Sequence, residues 1–95
     1  MEKISLEQWL DGKVDANSVN AAMRAFGLRW LLYHFYYTDW AVSEAYIMYG
    51  NEVSRGLSGG RTYEQYLEAV RNAEAKLLDA IYGAVKGEVS RRLGL

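Results

Sequence analysis

His34 is the chain's only histidine, and cysteine is absent. A metal centre would have to rest on this one imidazole and on carboxylates. Helical metal sites use spacings such as Glu-x-x-His or His-x-x-x-His, and neither occurs here. His34 therefore reads as a structural side chain, buried or at an interface. Glu64/Glu68 and Glu7/Asp11 are carboxylate pairs one helical turn apart. General acid–base chemistry needs two such groups in different environments around a cleft, whereas these fall on polar helix faces. Ser58-Gly59-Gly60-Arg61-Thr62 would put free N–H groups and a guanidinium at a helix start, the physics of an anion site. It lacks the lysine and the preceding strand of a phosphate-binding loop, so it reads as a turn between helices. No catalytic residue, cofactor site or metal site is expected, and the chain is read as a non-enzyme.

The elements that would have to position such groups are helical throughout. There is no proline, so nothing imposes a hard break. Ser5-Leu6-Glu7-Gln8 matches a capping box, and Gly12 ends the short helix it opens, at about 6–11. Asp15 can cap the next helix. From Val19 to Leu57 no strand-like alternation appears, which predicts one long helix over about 16–56, with bends at Gly27 or Gly50. Gly56-Leu57-Ser58-Gly59-Gly60 is the clearest interruption, and Thr62-Tyr63-Glu64-Gln65 is a second capping box. The last helix runs over about 62–92. Tyr63, Tyr66, Leu67, Val70, Ala73, Leu77, Ile81, Ala84 and Val89 form its apolar stripe, and Glu64, Glu68, Arg71, Asn72, Lys76 and Asp79 its wet face. The expected fold is all-α, a single domain over 1–95: a short helix, then a long antiparallel helical hairpin.

The middle of the expected long helix is the most informative stretch. Trp30, Leu31, Leu32, Tyr33, Phe35, Tyr36 and Tyr37 are almost contiguous, and Trp40, Val42, Tyr46, Ile47, Met48 and Tyr49 follow. At 100° per residue they point in every direction. The polar residues Arg29, His34, Asp39 and Glu44 fall five apart and step round the axis instead of marking one wet face. A helix apolar all round is ordinarily buried on all sides, yet a chain of 95 residues offers it little cover. Each aromatic side chain brings roughly 150–250 Å² to be buried, so even a few left uncovered exceed what monomers usually expose. Trp30, Tyr33, Tyr36, Tyr37, Trp40, Tyr46 and Tyr49 are thus the expected interface. Ala80, Gly83, Ala84 and Gly87 add small residues at helical spacing in the last helix, where backbones can approach closely, within the hairpin or between chains. Ala21, Ala22 and Ala25 do the same early in the long helix.

Composition bounds the partners. Eleven Lys and Arg face twelve Asp and Glu, for a net charge of −1, so no global basic field attracts nucleic acid or an anionic membrane. Met1-Glu2-Lys3-Ile4-Ser5 starts no signal-peptide apolar region. Trp30–Tyr49 contains His34, Asp39 and Glu44, which argues against a membrane span; an intracellular or virion location is expected.

Three functions follow, in order. The first is a self-assembling structural subunit, coat- or filament-like as in small viral coats, that forms a homo-oligomer through the aromatic helix. If it encloses nucleic acid, Arg24, Arg29, Lys86, Arg91 and Arg92 are the candidate phosphate contacts, which position without reading sequence. The second is a small inhibitor or adaptor, such as a phage anti-defence protein, that docks Tyr, Trp and Arg on one protein target. The third is a small-molecule or nucleotide binder with Arg29, Tyr33 and Arg61 around a pocket between helices.

Overall fold

The computed structural model describes residues 23–24 and 26–93. Among the described residues it is all-α, with three helices: α1 (Leu28–Tyr36), α2 (Trp40–Arg55) and α3 (Tyr63–Leu93). The expected helix over 6–11, the Ser5–Gln8 capping box, the Asp15 cap and the Ala21/Ala22/Ala25 set lie outside the described residues.

The single helix expected over 16–56 is corrected in two places. Gly27 has φ +79° and ψ 151°, a conformation without a Cβ penalty only for glycine. It ends the helical backbone of Met23, Arg24 and Phe26 and begins α1, with its carbonyl accepting from Leu31 N–H at 3.2 Å. The second break, at Tyr37–Asp39, comes from capping chemistry. Tyr36, Tyr37 and Thr38 are indifferent helix formers. Asp39 then adopts extended backbone and accepts the Val42 N–H at 3.1 Å on its carboxylate, which makes it the N-cap of α2. Phe35 O takes the N–H groups of Thr38 and Asp39, closing α1. At Gly50 the helix is not interrupted, and Gly50 sits inside a continuous α2.

The expected second capping box is present. Thr62 N–H donates to Gln65 Oε1 at 2.9 Å, and Gln65 N–H to Thr62 Oγ1 at 3.1 Å. From there α3 runs 31 residues, about 46 Å at 1.5 Å per residue, and it sets the long axis of a 51 × 28 × 20 Å body. Gly56, at φ +55°, caps α2 and turns the chain toward α3.

The core gathers Leu31 and Phe35 from α1, Val42 from α2, and Leu77, Ile81, Ala84 and Val85 from α3. Leu31, Val42, Ile81 and Val85 are fully enclosed, each contributing about 1.5–3 kcal/mol over an exposed position. The expected α3 stripe holds at Ala73, Leu77, Ile81 and Ala84, and its expected wet face is exposed at every position. Val85 joins the core although the stripe did not include it, because α1 widens the buried arc on that half of α3. Tyr63, expected on the stripe, is mostly exposed, as α1 and the core lie toward the other end of α3.

Candidate functional site

α1 has two unlike faces. Leu31 and Phe35, one turn apart, point inward and are 0% and 3% exposed. Tyr33 and Tyr37, again one turn apart, are 70% and 84% exposed. Trp40, the first residue of α2, is 79% exposed. Phe26, Trp30, Tyr33, Tyr37 and Trp40 follow one another at alternating four- and three-residue spacing, so the break at 37–39 interrupts the helix without ending the apolar run. Around α2 the exposure continues on several sides: Tyr46, Ile47, Met48 and Val53 are all exposed and lie in different directions about the axis. Of the expected interface residues, Trp30, Tyr33, Tyr37, Trp40 and Tyr46 are exposed. Tyr36 and Tyr49 are half-buried, Tyr49 against the core and Tyr36 in edge-on contact with Tyr37 and Tyr46 at 4.9 and 5.6 Å.

His34 is exposed, which corrects the buried alternative given for it above. Its ring stacks on Trp30 at 5.0 Å and 9°, and Trp30 stacks on Phe26 at 4.9 Å, forming a ladder along one side of α1. Among the described residues no group of three or more His, Asp or Glu is gathered as a metal ion would need. Glu64 and Glu68 are both exposed on α3, and Glu7/Asp11 lie outside the described residues.

The 56–62 turn is held by Arg61. Its guanidinium pairs with Glu52 of α2 and donates to Gly56 O at 3.4 Å, and its side chain is 11% exposed. This guanidinium is committed to the fold, which corrects its use as an anion ligand. It is also at the turn end of α2, whereas Arg29 and Tyr33 are on α1 beyond the other end, so the expected Arg29–Tyr33–Arg61 constellation is not assembled. Arg24, Arg29 and Lys86 are exposed, and Arg91 is exposed but paired with Glu88. Arg92 belongs to α3, its side chain outside the described part.

The small-residue set divides. Ala84 is buried in the chain's own core and Ala80 packs beside it, so of the two alternatives given for Ala84 the contact within the chain is the one that holds. Gly83 and Gly87 are exposed, and a Cβ built on either would meet nothing within 4 Å.

Sequence reasoning missed a groove between α2 and α3, about 440 Å³ in volume, with Ala41, Ala45 and Met48 on one wall and Ala69, Ala73 and Ala80 on the other. Glu44 and Lys76 stand on its opposite rims. The signal was there to read: Ala69, Ala73, Lys76, Ala80, Gly83 and Gly87 repeat at spacings of four and three, a seam of small residues interrupted by one lysine. No described helix is long and apolar enough to cross a membrane. No protein-family model matches the chain, and no curated protein or solved structure is significantly similar to it.

Proposed function

We propose that this chain is a non-enzymatic, self-associating helical subunit that packs against copies of itself through the outer aromatic face of α1 and the adjoining apolar surface of α2. One observation carries the reading: Tyr33, Tyr37 and Trp40 are 70–84% exposed on a chain whose core is already closed on the opposite face of α1. Those three side chains alone amount to roughly 350–550 Å² of uncovered surface, as much as the largest apolar patch of a typical monomer, which is often functional. Exposure on more than one side of α2 further supports an extended assembly, coat- or filament-like, over an isolated pair. A single apolar patch would be satisfied by one partner, whereas patches facing different ways are satisfied by several.

In such an assembly Arg24, Arg29 and Lys86, exposed members of the expected phosphate-contact set, are available to a phosphate backbone. A protein inhibitor that docks the same Tyr/Trp surface on one foreign target is the second reading, favoured by the enrichment of these residue types in binding hot spots.

Size-exclusion chromatography with light scattering at micromolar concentration tests the proposal. The expected result is a multiple of the 10.8 kDa chain mass, falling toward one chain for Tyr33→Glu and Trp40→Glu with helicity unchanged. A monomeric wild-type chain overturns it, and recovery of one foreign protein at fixed stoichiometry by that monomer would establish the inhibitor reading instead.

A further inference from the structure

We infer that the α2–α3 groove is the seat of a second copy of this chain, related by a two-fold axis running along the groove. The inference rests on the self-association proposed above and adds a second contact to it, on the α3 side of α2.

Three features lead to it. The first is the groove's origin: α2 and α3 face each other here with alanines, so their own side chains cannot fill the space between them. α2 and α3 run in opposite directions from the turn that joins them, which sets the register. Ala41 and Ala80 lie toward one end, Met48 and Ala73 in the middle, and Glu52 and Ala69 toward the turn. Residues at the same height therefore have numbers that sum to about the same value, and Glu44 stands level with Lys76.

The second is charge. Both Glu44 and Lys76 are exposed, and neither is in an ion pair or side-chain hydrogen bond among the described residues. A two-fold axis parallel to the helices lays α2 of one copy over α3 of the other at unchanged height. Glu44 of each copy then stands over Lys76 of its mate, so one operator makes the pair twice. A rotation axis perpendicular to the helices would instead reverse the heights and bring these level rims out of register away from the axis.

The third is shape. Met48 is a half-exposed, flexible side chain on the groove, and the same operation sets it over Ala73 of the second copy, a large residue against a small one. Trp40 adjoins Ala41 and is largely exposed, which puts it level with the Ala80–Gly83 part of the opposing α3, where a Cβ on Gly83 would find open space. The inclusion of Trp40 matters for area. Two helices side by side over the Ala41–Glu52 length give a footprint of only about 17 × 20 Å, small beside the roughly 800 Å² that a standard interface buries per partner. With Trp40 of each copy covered, the contact lengthens by about one turn, at the end away from the 56–62 turn where both tryptophans lie.

Charge exchange tests this on the whole chain. Glu44→Lys alone and Lys76→Glu alone should each weaken pairing about tenfold or more, because each sets like charges together twice. The double exchange should restore pairing to near the wild-type midpoint, and both residues are exposed, so the fold is not at stake. As a second measurement, Met48→Cys chains mixed with Ala73→Cys chains should give a disulfide-linked heterodimer on mild oxidation, with far less linkage in either variant alone. If the chain self-associates but neither single exchange shifts the midpoint, or the mixed cysteines do not link, the groove is not the contact and the self-association reading stands. If the wild-type chain is monomeric at every concentration, both fall together.

Discussion

Leu31 and Tyr33 are two residues apart in the same helix, and they have opposite fates. Leu31 is closed off by α2 and α3, and Tyr33 is left to solvent. The inner face is the more apolar, Leu31 and Phe35 against Tyr33, His34 and Tyr37, but the outer face is still largely aromatic, and what leaves it open is the supply of covering surface. α2 and α3 can enclose one face of α1, and the described part of the chain has no further helix to lay on the other. Core and outer face should therefore respond differently to truncation. Leu31→Ala should cost about 2–5 kcal/mol, the range for deleting a large buried aliphatic side chain, and should lower the urea midpoint at any protein concentration. Tyr33→Ser should cost the isolated chain no more than about 0.5 kcal/mol and act on association instead, so its effect on the midpoint should vanish on dilution. A dilution-independent loss at Tyr33 comparable to that at Leu31 would mean that the outer face is a core face after all.

A smaller effect is expected where the two halves of this apolar run join. Asp39 holds the first turn of α2 through one charge-assisted bond to Val42 N–H. Asp39→Ala should destabilise the chain by about 1 kcal/mol, the usual cost of losing an N-cap, whereas Asp39→Asn should retain most of the stability. Hydrogen exchange would localise the change: faster exchange should appear at Ala41, Val42 and Ser43, with the middle of α3 protected as before. Uniform acceleration across all three helices would show instead that the joint is a structural keystone of the whole core.

This joint also marks how far the sequence could be read. Helical class, the turn at Gly56–Gly60, the Thr62–Gln65 capping box and the wet face of α3 follow from local rules, since capping and periodicity depend on neighbours within one turn. The Asp39 cap is equally local, but it is hidden, because Arg29, His34, Asp39 and Glu44 read as one series around a continuous helix. Once the helix breaks at 37–39, an angle cannot be carried across it, and the four residues separate into an exposed cation, a ring in the Phe26–Trp30–His34 ladder, a cap and a groove rim. The broader expectation, that apolar side chains remain uncovered in several directions, survives because exposure around α2 does not depend on that series. The groove was legible only in part: the small-residue seam of α3 is in the sequence, but the wall that faces it is not. Ala41 and Ala69 are innocuous in their own helices and form a furrow only when α2 and α3 are set side by side, which is long-range information. Likewise Ala80, Gly83, Ala84 and Gly87 look alike in sequence, and only tertiary packing sends Ala84 into the core and leaves the glycines open.

Those glycines give the smallest expected effects and the sharpest contrast. Glycine inside a helix costs roughly 0.5–1 kcal/mol relative to alanine, and neither Gly83 nor Gly87 has any atom near enough in its own chain to obstruct a Cβ. Gly83→Ala and Gly87→Ala should therefore each raise the stability of the dilute chain by about that amount. Their effects on pairing should differ. With the axis along the groove, Trp40 of the second copy lies over Gly83, and Gly87 is a further turn away. Gly83→Ala should make the lone chain more stable and the pair weaker, a reversal of sign that no intrachain account of the glycine produces. Gly87→Ala should stabilise the chain and leave pairing as it was. If both substitutions stabilise and neither changes the solution mass, Trp40 does not reach this seam. The contact would then have to end at Lys76 and Ala80, within the groove itself.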